Sequence, residues 1–192
     1  MEKPKDFDTA KATGEFKPLP AGGYVCKIIG VDEAMSKTGK KMLKIALDIA
    51  EGEEAGRFMD SYKADTREFK KWPAGGMVYQ LTEDQNGNTH GRFKQFTNCV
   101  TDSNKGFEIV WGKEFGSCFK GKLVGAVFGR EQYENQNGEL RWSTKPQHFK
   151  TVEEIRDGDF KVPEDKPLVQ KDNASAAPLE GFSEISDDDI PF

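Results

Sequence analysis

Asp187, Asp188, Asp189, Ile190, Pro191 and Phe192 close the sequence, and their types define one kind of chemistry. Three adjacent carboxylates repel one another in any compact arrangement, and the apolar Ile-Pro-Phe end has no chain beyond it to pack against. A second protein can use such a segment. The Phe192 ring fills a small pocket, Pro191 stiffens the approach, the terminal carboxylate meets an Arg or Lys, and the aspartates steer association with a basic surface. Constellations for bond-making chemistry are missing from the sequence. It contains no GxxxxGK(S/T) phosphate loop, no GxSxG elbow and no HExxH helix, and a nuclease would need carboxylates fixed by several rigid elements. The chain therefore reads as a binding protein and not an enzyme. Cys26, Cys99 and Cys118 are odd in number and widely spaced, and His90 and His148 lie far apart. This pattern predicts buried core thiols and surface imidazoles, with no disulfide framework, metal or other cofactor.

The charge is unevenly divided. From residue 164 to 192 there are eight acidic residues and two lysines, a net of −6 within a chain of net −5. The part before residue 164 therefore carries about +1, so local basic strips can exist beneath an acidic average, as nucleic-acid binding requires. Hydrophobic content is 35 % and charged content 32 % in 192 residues, enough for one domain diluted by polar ends. The expected division is a flexible leader over 1–18, one folded domain over 19–163 and a disordered acidic tail over 164–192. The lysine-rich start has no apolar h-region and no stretch reaches the length of a membrane span, so a reduced, cytoplasmic setting is expected, with no membrane partner.

Positioning falls to a set of strands. Tyr24 to Val31 is rich in β-branched residues after the turn at Leu19 to Gly23. Leu43, Ile45, Leu47 and Ile49 alternate with Met42, Lys44, Ala46 and Asp48, which predicts a half-buried strand with Lys40, Met42 and Lys44 outward. Arg57 to Lys63 reads as a third short strand. The pattern then breaks for some fifty residues (66–119), within which Phe93, Phe96, Cys99 and Val100 have helical spacing over Gly91 to Val100. Regularity returns at Lys120 to Tyr133, where glycines at 121, 125 and 129 favour a bent strand over a helix. Asn137-Gly138 then predicts a hairpin returning through Glu139 to Thr144. Thr151 with Glu154 makes a capping box. The expected fold is all-β with minor α: a five-stranded OB-type barrel with a partly helical insertion between strands three and four.

At this point the sequence resembles a family. Acidic residues followed by Ile-Pro-Phe at the C-terminus are similar to the tip of bacterial and phage single-stranded DNA-binding proteins, and the strand pattern over residues 19–163 resembles the phage-encoded members with an enlarged connection between strands three and four. The resemblance implies a partner in single-stranded DNA, recruitment of replication, recombination and repair proteins through Asp187–Phe192, and an oligomeric state that includes a homo-oligomer. The chain departs from the bacterial members in lacking a long glycine- and glutamine-rich linker.

Binding unpaired strands without sequence preference needs cations along the phosphates and flat side chains for the bases. An OB barrel places these on strands two and three and on the loops joining strands one to two and four to five. Read onto this chain, the candidates are Lys37, Lys40 and Lys41 in the first loop, Lys44 on the second strand, and Arg57, Tyr62 and Lys63 on the expected third. Arg130, Tyr133, Arg141 and Trp142 flank the hairpin turn. Two other classes fit the same residues: a strand-annealing or recombination-mediator protein, which would hold two strands or load a recombinase, and an adaptor whose barrel binds protein.

Overall fold

The computed structural model of the chain describes residues 17–168 together with Lys3. Its elements are β1 (Gly22–Met35), β2 (Lys41–Ile49), α1 (Arg57–Ala64), a 3-10 turn (Ala74–Gly76), β3 (Met77–Leu81), α2 (Gly91–Ser103), α3 (Phe115–Cys118), β4 (Leu123–Glu134), β5 (Leu140–Lys150) and α4 (Val152–Asp157). The strands form one antiparallel sheet of order β3-β2-β1-β4-β5, not closed by pairing between β3 and β5. β1 serves two partners. Gly22–Lys27 pair with β4 and Cys26–Met35 with β2, and a register shift between Ile28 and Gly30 interrupts the second ladder. A bulge of this kind bends a strand and increases its twist.

The alternation in β2 has the consequence expected of it. Leu43, Ile45, Leu47 and Ile49 all point into the main core, where fully burying each contributes about 1.5–3 kcal/mol. Phe96 of α2, Phe119 and Phe128 of β4 complete that core as rings without solvent contact. On the other face of β2 the expectation holds for Lys44 but fails for Met42, which is only 1 % exposed. Its cross-strand neighbours are Ala34 and Leu81. A smaller cluster of Val25, Val127, Val152 and Ile155 joins α4 to the opposite sheet face. Gly125 permits this approach, because a Cβ there would lie 2.5 Å from both Ile155 and the Thr151 carbonyl. The regularly spaced glycines thus serve packing as well as bending: a Cβ on Gly129 would run into Gln147 at 2.4 Å.

Two expected elements are corrected. Arg57–Lys63 is helix α1, not the third strand. Its N-terminal donors are collected by a residue far back in the chain: Asp48 Oδ1 accepts from the backbone N–H of Phe58 at 2.9 Å and Met59 at 3.3 Å. Such a cap satisfies the donors that a helix start leaves open. The third strand is Met77–Leu81, inside the stretch read as irregular, so the helical insertion runs from residue 82 to 122 and not from 66 to 119. Gln80 hides this strand in the sequence. It occupies a buried position and donates to the Leu81 carbonyl at 2.8 Å. β5 also runs further than expected, through Pro146 to Lys150. Proline is tolerated there because β5 is an edge strand and the β4–β5 register shifts next to it.

The helix read over Gly91–Val100 is α2, which continues to Ser103. The capping box is present, with Glu154 N–H donating to Thr151 Oγ1 at 3.2 Å and Thr151 N–H to Glu154 Oε2 at 2.7 Å. No helix among the described residues is long and apolar enough to cross a membrane. Most of the 1–18 leader and residues 169–192 of the acidic tail lie outside the described residues.

Candidate nucleic-acid interface

The β4–β5 hairpin carries the densest group of expected site residues. Asn135 builds its turn: the side-chain oxygen accepts from the N–H of Asn137 and of Glu139, both at 2.9 Å. Gly138 takes φ +78°, a conformation that side-chain-bearing residues avoid. The turn fixes the register, with Gln132 opposite Trp142 and Tyr133 opposite Arg141. Residues directly opposed share a face and neighbours along a strand do not. Arg130 and Trp142 therefore lie on one face of the hairpin, and Tyr133 and Arg141 on the other. Both rings are partly open to solvent, Trp142 at 38 % and Tyr133 at 41 %.

Arg130 caps the Trp142 ring, with its guanidinium carbon 4.8 Å from the ring centroid. The same guanidinium is ion-paired with Asp165 at 3.0 Å. Asp165 belongs to a short segment that pairs with the outer half of β4, beyond its ladder with β1. Lys166 N–H donates to the Arg130 carbonyl at 2.9 Å and Gln132 N–H to the Lys166 carbonyl at 2.8 Å, while Leu168 N–H reaches Gln132 Oε1 at 3.1 Å. On the opposite face Arg141 is paired with Glu139 at 2.7 Å. The hairpin thus combines stacking surface and cations with carboxylates that partly neutralise them.

A second group lies on the outer face of β2 and β3. Lys44 is in register with Asp32 of β1 and Tyr79 of β3, so ammonium and phenol are cross-strand neighbours. Tyr79 is half-buried, and burial pushes its phenol pKa up. Sequence reading passed over it because its strand was not recognised. The run Met77-Val78-Tyr79 following Gly75-Gly76 was the available signal. Lys37 and Lys40 are exposed in the β1–β2 turn, where Ser36 Oγ accepts from Lys40 N–H at 3.0 Å. Lys41 is tied to Glu83 at 2.9 Å.

The third group surrounds α1. Arg57 is removed from the surface: its side chain is 11 % exposed, ion-paired with Glu54 and bonded to the Lys17 carbonyl. Tyr62 packs on Trp72, ring centroids 5.5 Å apart, and Lys70 lies 5.8 Å from the Tyr62 ring. Trp72 is anchored by its Nε1–H, which donates to the Leu47 carbonyl at 3.1 Å. Lys63, Lys71 and the ring of Phe69 are exposed beside them. Arg67 is held by Asp65, whose carboxyl falls to about 2 through hydrogen bonds from the Arg67 side chain and backbone. Phe69, Lys70 and Trp72 were not among the expected site residues, although they stand in the run Phe69-Lys70-Lys71-Trp72.

The expected residues are therefore divided among three surfaces. In register terms the β1–β2 turn and the β4–β5 hairpin sit at opposite ends of β1: one follows Met35, while β4 passes Gly22 at Phe128 and continues to Glu134. Asp187, Asp188, Asp189, Ile190, Pro191 and Phe192 lie outside the described residues. Among the described residues no group of His, Cys, Asp and Glu is arranged to hold a metal ion. Cys26 and Cys99 are buried free thiols, and burial raises Cys99 to about 11.

Comparison with known proteins adds one family. A model described as a protein of unknown function, DUF669, matches residues 5–72, about a third of the chain and inclusive of β1, β2 and α1. That description assigns no activity. No curated protein matches the sequence.

Proposed function

We propose that this chain is a single-stranded DNA-binding protein of the phage and bacterial type. It grips unpaired DNA without sequence preference through an OB-type barrel, protects it during replication and recombination in the cytoplasm, and engages partner proteins through Asp187–Phe192. The strand order supports the barrel. Read from the other side, the sheet contains the order β4-β1-β2-β3, the Greek-key arrangement in which a fourth strand returns by a long connection to lie beside the first. An OB fold is a five-stranded, partly open Greek-key barrel that binds oligonucleotides on strands two and three and on its hairpin loops.

The observation that carries the binding reading is the Trp142 ring on an exposed hairpin with the Arg130 guanidinium across it. Indole offers any base a stacking face, and guanidinium meets phosphate without regard to sequence. Lys44 beside Tyr79 repeats the pairing of cation and ring on the β2–β3 face. Titration of labelled oligo-dT of increasing length at two salt concentrations, with duplex DNA as control, tests it. Binding that prefers the single strand and weakens steeply with salt is expected; equal affinity for duplex, or none for oligo-dT at low salt, would refute it.

A further inference from the structure

The insertion between β3 and β4 forms a cleft of about 410 Å³ whose residues take no part in the three surfaces above. One side is the face of α2 that carries Lys94, Thr97, Asn98, Thr101 and, two turns from Lys94, the carboxylate of Asp102; the other is Ile109 and Trp111. Its volume is within the range of pockets that take small planar ligands. Trp111 is 67 % exposed yet held in place. Its ring stacks on Phe115 at 5.2 Å and 21°, and meets Phe93 nearly edge-on at 6.5 Å. Phe115 is itself fixed against Phe119 in the core. An indole with one face covered by a buried ring and much of its surface in solvent is an oriented stacking platform whose immobilisation cost is already met by folding.

The polar lining complements that platform. Thr97 and Thr101 donate their hydroxyls to the carbonyls of Lys94 at 2.9 Å and Thr97 at 3.0 Å, which turns their oxygens toward acceptor duty. Asn98 is exposed and presents an amide with both donors and an acceptor, the combination that reads a base edge. Lys94, exposed one turn away, supplies the cation for a phosphate.

We infer that this cleft accepts a single unpaired nucleobase of a bound strand, stacked on Trp111, hydrogen-bonded by Asn98 and with its phosphate at Lys94. The inference rests on the single-strand-binding reading above and extends it: the strand held at the hairpin continues onto the helical insertion. An apolar peptide anchor fits less well, since one side of the cleft is hydroxyl, amide, ammonium and the Asp102 carboxylate, and the phosphate is therefore placed at the Lys94 end, away from Asp102.

The test uses the full-length protein with oligo-dT carrying 5-iodouracil at successive positions, photocrosslinked and mapped by mass spectrometry. A crosslink in the tryptic peptide from Gly106 to Lys113 is expected. Trp111→Ala should weaken binding of long oligonucleotides on the order of 10-fold, as removal of a stacked base does, while leaving short ones that fill only the hairpin unaffected. Trp111→Phe should restore most of the loss, and Asn98→Ala should reproduce part of it. The wild-type crosslink map carries the test on its own if the alanine variant unfolds. Crosslinks confined to other surfaces, with Trp111→Ala and Asn98→Ala binding all lengths normally, overturn the inference and leave the proposed function standing. Absence of any oligo-dT binding overturns the proposed function first. Protection of Trp111 by a peptide ending in Ile-Pro-Phe, with no crosslink at this site, also overturns the inference, because the occupant is then protein.

Discussion

Arg130 and Trp142 sit diagonally across the β4–β5 hairpin with 4.8 Å between guanidinium carbon and ring centroid. The pair places a cation and an aromatic surface on one face, and Tyr133 on the reverse face. The two rings that flank the turn are therefore not equivalent. Trp142→Ala should weaken oligo-dT binding about 10- to 100-fold, the range for one stacked base, whereas Tyr133→Ala should change it less than about 2-fold on the same scale. Fluorescence anisotropy at low salt checks both. The reverse ranking would place the strand on the other face.

Asp165 holds the guanidinium of Arg130, and under the proposed function it competes there with phosphate. The pair is exposed on both sides, so it adds little to folding, about 0–1 kcal/mol. Asp165→Asn should leave the melting temperature nearly unchanged and tighten oligo-dT binding roughly 2- to 5-fold at low salt, with the advantage shrinking as salt screens the charge. Weaker binding by this variant would contradict the proposed role of Arg130.

Asp48 ties β2 to the start of α1 through one carboxylate oxygen. It is buried, and its Oδ1 serves the N–H groups of Ile49, Phe58 and Met59. Asp48→Ala should destabilise by about 2–4 kcal/mol by leaving these donors unsatisfied, which lowers the melting temperature by roughly 5–15 °C for a chain of this size. Asp48→Asn keeps an acceptor and should lose less. Equal melting of Asp48→Ala and wild type would show that α1 needs no such cap.

His148 gives the protein an acid-sensitive range. Burial lowers its pKa, and Arg92 and Lys166 act in the same direction. The unfolded chain therefore takes up this proton first as pH falls below about 6.5, the ordinary histidine value. Stability contributed by neutral His148 is present above that pH and declines below it until the folded-state value is passed. His90, lowered by burial and by Arg92, adds in the same sense. The carboxyl of Asp65 titrates far lower, at about 2, so the two ranges separate. Denaturant midpoints at pH 7.5 and 5.5 should fall with acid in wild type and fall less in His148→Gln; an NMR titration placing His148 above 6.5 would contradict the sign.

What the sequence made legible was whatever is decided locally. The alternation of β2, the Asn137-Gly138 turn, the helical spacing of α2 and the Thr151–Glu154 box each depend on residues within a few positions of one another, and each appears in the structure. The opposed faces of Tyr133 and Trp142 were not legible, since a two-residue Asn137-Gly138 loop would set the two rings directly opposite one another and the observed register pairs Trp142 with Gln132. The parts that escaped depend on distant partners. Arg57–Lys63 becomes a helix because Asp48 caps it from β2, and Met77–Leu81 is a strand despite Gln80 because Leu81 and the His90 ring answer that amide. Asp165 stood in the stretch expected to be a disordered acidic tail, and only its pairing with Arg130 on the edge of β4 gives it a place in the site.

The backbone pairing of Lys166 with β4 also sets a tether length. It fastens the chain at Leu168 beside Gln132, on the hairpin that bears Trp142. Twenty-four residues follow to Phe192, and a fully extended chain of that length spans roughly 80 Å. Under the proposed function, an enzyme captured by Phe192 stays within that distance of Trp142, so its local concentration there is set by chain length and not by its level in bulk solution.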